Sequence, residues 1–330
     1  MKIIITGGAG FIGSHLAKFL ITKGHKVIII DNLSTGRLSN IKTYKNKVKF
    51  IKADISKLGK WTENFKNTKI VFHLAALADI VPSIQDPKKY FKSNVVGTEN
   101  IVSSSIKHKV KKIIYSASSS CYGIPRYYPT SENQKIDPQY PYALTKYLGE
   151  QILMHYAKIY GIQCTSFRLF NVYGTRSRTS GTYGAMFGVF LAQKLKKKPL
   201  TIVGDGNQKR DFTYISDVIE AFYKAIKIKK NFQIFNLGTG KPIAVKEIVK
   251  LLDCKSINIP KRPGEPDMTC ANINKIRNEL NWSPKISIKH GIKNILKEIN
   301  YWNRAPVWTP KKIKVATKDW FKYLGTKYRR

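Results

Sequence analysis

Thr6-Gly7-Gly8-Ala9-Gly10-Phe11-Ile12-Gly13 is the stretch on which the fold turns. It follows a β-branched run, Ile3-Ile4-Ile5, and opens a segment where Ile12, Leu16, Phe19 and Leu20 recur at helical spacing before Gly24 stops it. Strand, glycine turn and helix in that order make a phosphate cradle. Glycines at 7, 10 and 13 permit a tight turn, close backbone approach to a pyrophosphate, and close packing of helix on strand. The helix start at Phe11 and Ile12 then offers unpaired N–H groups to the phosphates. A glycine triplet alone is weak evidence. Asp31 strengthens it, standing with Asn32 at the end of the second β-branched run, residues 27–30. An acid there binds both ribose hydroxyls and repels a 2′-phosphate, so the turn selects NAD over NADP.

Further β-branched runs at 48–51, 70–72 and 112–115 alternate with helical periodicity, and another strand–helix unit starts near Gln163. This alternation predicts an α/β, Rossmann-type doubly wound parallel sheet with a smaller C-terminal α/β lobe. Residues 1–174 form the NAD-binding domain, with a strand and helix returning from about 205–240. Residues 175–300 form most of the second lobe, and 301–330 a basic, aromatic extension. Asp54 and Ile55 fall where the adenine edge would lie, and Leu74, Ala75 and Ala76 are small enough for a cofactor to pass close. His73, just before them, reads as a structural, hydrogen-bonded histidine. A Ser/Thr/Gly/Arg loop at 175–184 and a Pro/Gly-rich loop at 260–267 punctuate the second half. The tail's Trp302, Trp308 and Trp320 sit among lysines, so it should pack on the body or on a partner subunit.

Composition narrows the class. The 330 residues are 42% hydrophobic, with no run of the roughly 18 apolar residues a membrane span requires and no signal-peptide pattern. Cys121, Cys164, Cys254 and Cys270 are scattered, which argues against a zinc site and a disulfide framework and for a reducing cytoplasm. No metal is expected. Lys and Arg number 59 against 20 acids, a formal charge of +39. The lysines are spread along the chain, so they read as a solvated surface rather than a specific nucleic-acid interface. A diphosphate would still benefit from the field.

Pro141-Tyr142-Ala143-Leu144-Thr145-Lys146 begins a long helical segment, and residues 142 and 146 share a face one turn apart. A phenol is a poor base at its ordinary pKa of about 10. A nearby ammonium and a nicotinamide cation would both favour phenolate, making Tyr142 a usable general base. The serine-rich strand end 115–123 supplies Ser118 and Ser119, hydroxyls able to hold a reacting sugar oxygen.

With these residues placed, the sequence resembles the extended short-chain dehydrogenases/reductases, specifically nucleotide-sugar 4-epimerases of the UDP-galactose 4-epimerase type, over about residues 1–300. TGGAGFIG and Asp31 match that family's NAD site, and Asn94 lies in the matching NVVGT segment. Tyr142 and Lys146 match its catalytic pair, and Ser118 its catalytic Ser/Thr. The resemblance implies diphosphate contacts from Asn171, Arg210 and Arg262, and a ribose contact from Glu265. Thr269, four residues on, then lines the sugar pocket, where a small residue admits N-acetyl groups. It implies hydride transfer between C4 and NAD with Tyr142 as base, a 4-keto sugar, and return of hydride to the other face. Dehydratases of the family carry Asp-Glu right after the catalytic Ser/Thr, and decarboxylases usually a glutamate; here Ser119 and Ser120 stand there. Epimerisation is therefore favoured, with 4,6-dehydration and a UDP-glucuronate reaction as alternatives, the latter because Asp79 is an unusual acid for the pocket. A non-catalytic NAD-sensing or RNA-associated relative would be expected to lose the tyrosine or lysine. By the same analogy, segments 90–108 and 142–160 pair two subunits in a homodimer.

Overall fold

The computed structural model describes residues 1–177 and 185–325, so most of the loop expected at 175–184 lies outside the described residues. β1 (Lys2–Thr6) leads into α1 (Phe11–Thr22), β2 (Lys26–Asp31), β3 (Val48–Lys52) and β4 (Ile70–His73). Two short helices, α2 (Ile80–Gln85) and α3 (Pro87–Phe91), continue through a π-helical turn (Lys92–Val96) into α4 (Gly97–Lys107). β5 (Lys112–Ser118), the long α5 (Pro141–Tyr160) and β6 (Gln163–Leu169) follow. Next come β7 (Asn171–Tyr173), α6 (Met186–Leu195), β8 (Leu200–Val203), β9 (Lys209–Arg210), β10 (Phe212–Tyr214) and α7 (Ile215–Ala225). The chain then forms β11 (Phe232–Leu237), β12 (Ile243–Ala244), α8 (Val245–Leu251), β13 (Ser256–Ile259), α9 (Asn274–Leu280), α10 (Ile288–Lys297), α11 (Pro310–Ala316) and α12 (Lys318–Gly325).

Seven strands make one parallel sheet in the order β11-β6-β5-β4-β1-β2-β3. The winding reverses between β1 and β4, and the strand ends at such a switch point open a crevice for a ligand. Both faces are covered. Ile3 and Ile5 join Ile29, Phe72, Ile114 and Phe167 in one core, while Ile4 joins Ile28, Ile30, Val71 and Ile113 in the other. Hence the strands read as unbroken β-branched runs rather than alternating patterns.

β5 continues three residues past the β-branched run 112–115 into the serine-rich strand end. Its partner β6 extends the ladder, pairing Ser116 with Phe167 and Ser118 with Leu169. Sheet hydrogen bonding thus overrides the poor strand propensity of serine and carries Ser118 to the crevice. Three two-stranded ladders (β7–β10, β9–β12, β8–β13) hold the second half, with Asn171 on β7 and Arg210 on β9. Trp302 is fully buried in the larger core, and α12 packs against α2. Among the described residues no helix is long and apolar enough to cross a membrane.

Candidate active site

One cleft of about 680 Å³ runs along the strand ends from the glycine turn to Arg262, a volume in the usual range for a small-ligand site. At the cofactor end Gly7 has φ +69°, and a Cβ there would stand 2.8 Å from the Ala75 amide nitrogen. A Cβ on Gly13 would come within 2.2 Å of the Gly7 carbonyl oxygen. Both positions therefore need glycine. α1 begins at Phe11 with no side-chain cap and no acid in its first turn, leaving its N–H groups open to an anion. Gly10, Phe11, Ile12, Asn32, Asp54, Ile55, Leu74, Ala75 and Ala76 all line this half.

Asp31 closes it. Oδ2 accepts the Ala9 N–H at 3.0 Å and Oδ1 the Leu33 N–H at 2.8 Å. Burial pushes its carboxyl up, and those two N–H bonds pull against the rise. Uncapped helix start, close glycines and an acid at the end of β2 fit NAD. His73 lies beneath, fully buried, with Nδ1 and Nε2 bonded to the Thr6 and Thr98 hydroxyls. Burial lowers its pKa to about 3, so it is a neutral structural residue.

Tyr142 and Lys146 share the inner face of α5, which Pro141 starts at its first position and Gly161 (φ +67°) ends. The Ser118 hydroxyl faces the Tyr142 phenol and lowers its pKa. That hydroxyl also lies 2.7 Å from that of Ser120 and accepts the Ser120 N–H. The Tyr142 ring stacks on Tyr140 at 6.3 Å and 8°. Lys146 Nζ stands 4.2 Å over the Tyr115 ring and is 4% exposed.

The titration behaviour differs from expectation. Burial raises the Tyr142 phenol, the Ser118 hydroxyl lowers it, and the charge of Asp79, which also lines the cleft, raises it again. Burial brings Lys146 down to about 7, with Glu150 working against the fall. In the chain by itself desolvation thus dominates at Tyr142, and phenolate awaits a further cation such as nicotinamide.

At the far end Arg262 Nη1 bonds Glu265 Oε1 at 3.0 Å, and Arg210 Nη2 lies 3.6 Å from Glu265 Oε2. Glu265, expected at a ribose, also orients both guanidiniums. Thr269 donates to Asn171 Oδ1 at 3.1 Å and accepts the Asp211 N–H, so it stands beside the expected diphosphate asparagine. Ser119 lines the cleft between the two halves.

Asn94 sits deeper than the other expected cofactor residues. Its amide bonds the Leu77 N–H, the Leu77 carbonyl and the Thr145 hydroxyl, and it is 1% exposed, outside the cleft lining. A buried amide needs several partners, and here the loop after β4 and α5 supply them. Asn94 thus braces those elements. Sequence reasoning missed Tyr140, two residues before Tyr142, and Trp308 and Trp320 of the tail, all of which line the cleft. Tyr301 was missed too: its hydroxyl donates to Asn40 Oδ1, whose amide donates to the Ala9 carbonyl of the glycine turn. Among the described residues no group of three or more His, Cys, Asp and Glu could hold a metal.

Residues 3–238 match the NAD dependent epimerase/dehydratase family. A putative UDP-glucose 4-epimerase of Methanocaldococcus jannaschii is 38% identical over 311 residues, covering 92% of this chain and 100% of the relative. The crystal structure of UDP-glucose 4-epimerase from Thermotoga maritima with UDP-glucose superposes with a TM-score of 0.85 at 33% identity, covering 91% of this chain and 99% of that one. UDP-glucuronic acid 4-epimerase from Bacillus cereus, in complex with UDP-glucuronic acid and NAD, gives 0.84 at 32% identity with coverages of 91% and 99%. The chain belongs to the NAD-dependent epimerase/dehydratase family. Within it, the similarity groups the chain with the UDP-sugar 4-epimerases, NAD-dependent isomerases.

Proposed function

We propose that the protein inverts C4 of a UDP-hexose, interconverting UDP-glucose with UDP-galactose and accepting the UDP-N-acetylhexosamine pair. One observation carries the reading: Tyr142 and Ser118 meet in a cleft that joins an NAD-type turn to a pair of arginines, with no acid at 119 or 120. When bound, NAD supplies a reversible hydride acceptor for C4. Asn171, Arg210 and Arg262 hold the diphosphate, Glu265 keeping both guanidiniums in place. Arginine suits this because its planar fork grips phosphate oxygens.

Ser118 holds the sugar 4-oxygen while Tyr142 removes its proton, and Lys146 favours the phenolate. The 4-keto sugar, tethered by its nucleotide, presents its other face, and Tyr142 returns the proton. Ser119 and Ser120 offer neither the acid nor the base that water elimination needs. Thr269 is short and turned onto Asn171, which supports admission of an N-acetyl group. The strands and helices of 1–174, with α7 and β11, serve the cofactor, and the elements of 175–300 serve the nucleotide sugar.

Incubation with NAD and UDP-glucose, UDP-N-acetylglucosamine or UDP-glucuronate, followed by product separation, tests the proposal. An isomer of unchanged mass is expected from the first two. Loss of water or carbon dioxide would overturn epimerisation. Turnover of UDP-galactose with none of the N-acetylated pair would remove that part alone. Turnover of UDP-glucuronate alone would replace the hexose, an outcome the Bacillus cereus neighbour makes worth measuring.

We place the enzyme in the cytoplasm, where its four free cysteines stay reduced, and as a homodimer through the helical segments 90–108 and 142–160. Phe91 is 48% exposed and Leu144 46%, and Val96 is exposed beside them. Such apolar groups along two neighbouring helices suit an isologous contact. The double substitution Phe91→Glu, Leu144→Glu is expected to halve the mass found by sedimentation; an unchanged mass would place the contact elsewhere or exclude it.

A further inference from the structure

Helix α12 reaches the cleft from a part of the chain that neither the glycine turn nor the Tyr142–Lys146 pair explains. Trp320, 3% exposed, packs with Val81 of α2, Leu324 and Tyr140. On its other side Nε1 donates to the Pro263 carbonyl at 2.7 Å, and the Arg262 guanidinium lies 5.3 Å from the ring. Gln85 of α2 adds a bond to Asp319 Oδ2 at 2.7 Å. One side chain thus joins the wall after β4 to the loop that carries Arg262. Apolar burial alone would anchor a tail. Trp320 instead directs its only hydrogen-bond donor to the backbone beside Arg262 and its π-face to that guanidinium, within the roughly 6 Å at which a cation is attracted.

We propose that Trp320 is a positioning residue for Arg262, so that the diphosphate subsite depends on the C-terminal helix. The inference rests on the reading that the cleft takes a UDP-sugar. Arg262 is pulled one way by Glu265, and its position also follows that of its loop. Trp320 supplies that second restraint, and nucleotide affinity, but not NAD affinity, follows from it.

Trp320→Leu keeps the apolar plug against Val81 and Leu324 but removes both the π-face and the donor; Trp320→Phe keeps the π-face. Steady-state kinetics and calorimetric titration of UDP into the NAD-loaded enzyme are to be run in the wild-type and Arg262→Ala backgrounds. Trp320→Leu is expected to raise KM and the Kd of UDP about 10-fold with kcat within about 3-fold, and Trp320→Phe to restore most of the loss. Over Arg262→Ala, the leucine should add less than about 2-fold, because the two residues act as one unit. An unchanged KM and Kd, a loss confined to kcat, or a full 10-fold effect over Arg262→Ala would each overturn the proposal. A wild-type enzyme that binds no UDP would remove the UDP-sugar reading itself, and this inference with it.

Discussion

Tyr142→Phe is expected to lower kcat by about 10³–10⁴-fold while KM for the UDP-sugar stays within about 3-fold, the signature of an interaction made only in the transition state. The ring itself is held by its stack on Tyr140 and by helix α5, and phenylalanine keeps both. What disappears is the phenol oxygen that faces Ser118. Ser118 cannot replace it, since an alkyl hydroxyl is a far weaker acid than a phenol. Because burial and Asp79 hold the phenol above its ordinary value, the wild-type rate should rise with pH as phenolate forms. Bound NAD, by placing a cation in the cleft, should move that rise toward neutrality. Steady-state kinetics across pH checks both statements. A variant retaining a tenth of the wild-type kcat would show that another group takes the proton.

How far the chain could be read from its residues varied with how local the cause was. The glycine turn, Asp31 and the Tyr142–Lys146 pair were legible because their chemistry depends on backbone within a few positions of each residue. The surroundings of Asn94 were not legible, because a motif position says nothing of where an amide points; Leu77 and Thr145, 17 and 51 residues away, take its bonds. The place of Glu265 between Arg210 and Arg262 was not legible, because only the folded loop brings the three together. The serine-rich strand end was legible, but how far it stays in the sheet is set by pairing with β6. Trp320 carried no signal beyond an aromatic in a basic tail, since its partners, Val81 and Pro263, lie 239 and 57 positions away in sequence. The phenol's titration was misjudged for a related reason: spacing reveals a neighbouring lysine, whereas desolvation comes from every element packed around the pair.

That desolvation makes Lys146→Met the substitution with opposite effects on stability and activity. Lys146 is 4% exposed, and burial brings its pKa to about 7 from the 10.5 of an unfolded chain. Below pH 7 both states carry the proton, and the folded state bears the full cost of a buried ammonium. Between pH 7 and 10.5 the unfolded chain binds the proton that the folded chain releases, so stability rises with pH and the cost fades. Methionine has similar length, no charge, and suits contact with the Tyr115 ring. NAD-stripped Lys146→Met is therefore expected to be more stable than wild type by about 2–4 kcal/mol at pH 6, a gain that disappears by pH 10.5. Urea unfolding at the two pH values measures it. Activity should fall at least about 100-fold, because Tyr142 loses the ammonium that favours its phenolate. An unchanged stability at pH 6 would mean that the cation over Tyr115, aided by the Glu150 charge, already offsets its burial. A gain at pH 6 that persists at pH 10.5 would mean methionine stabilises by packing and not by removing a charge. The expected pattern would mean that the chain keeps a destabilising lysine at the one place where its charge lies beside the catalytic phenol.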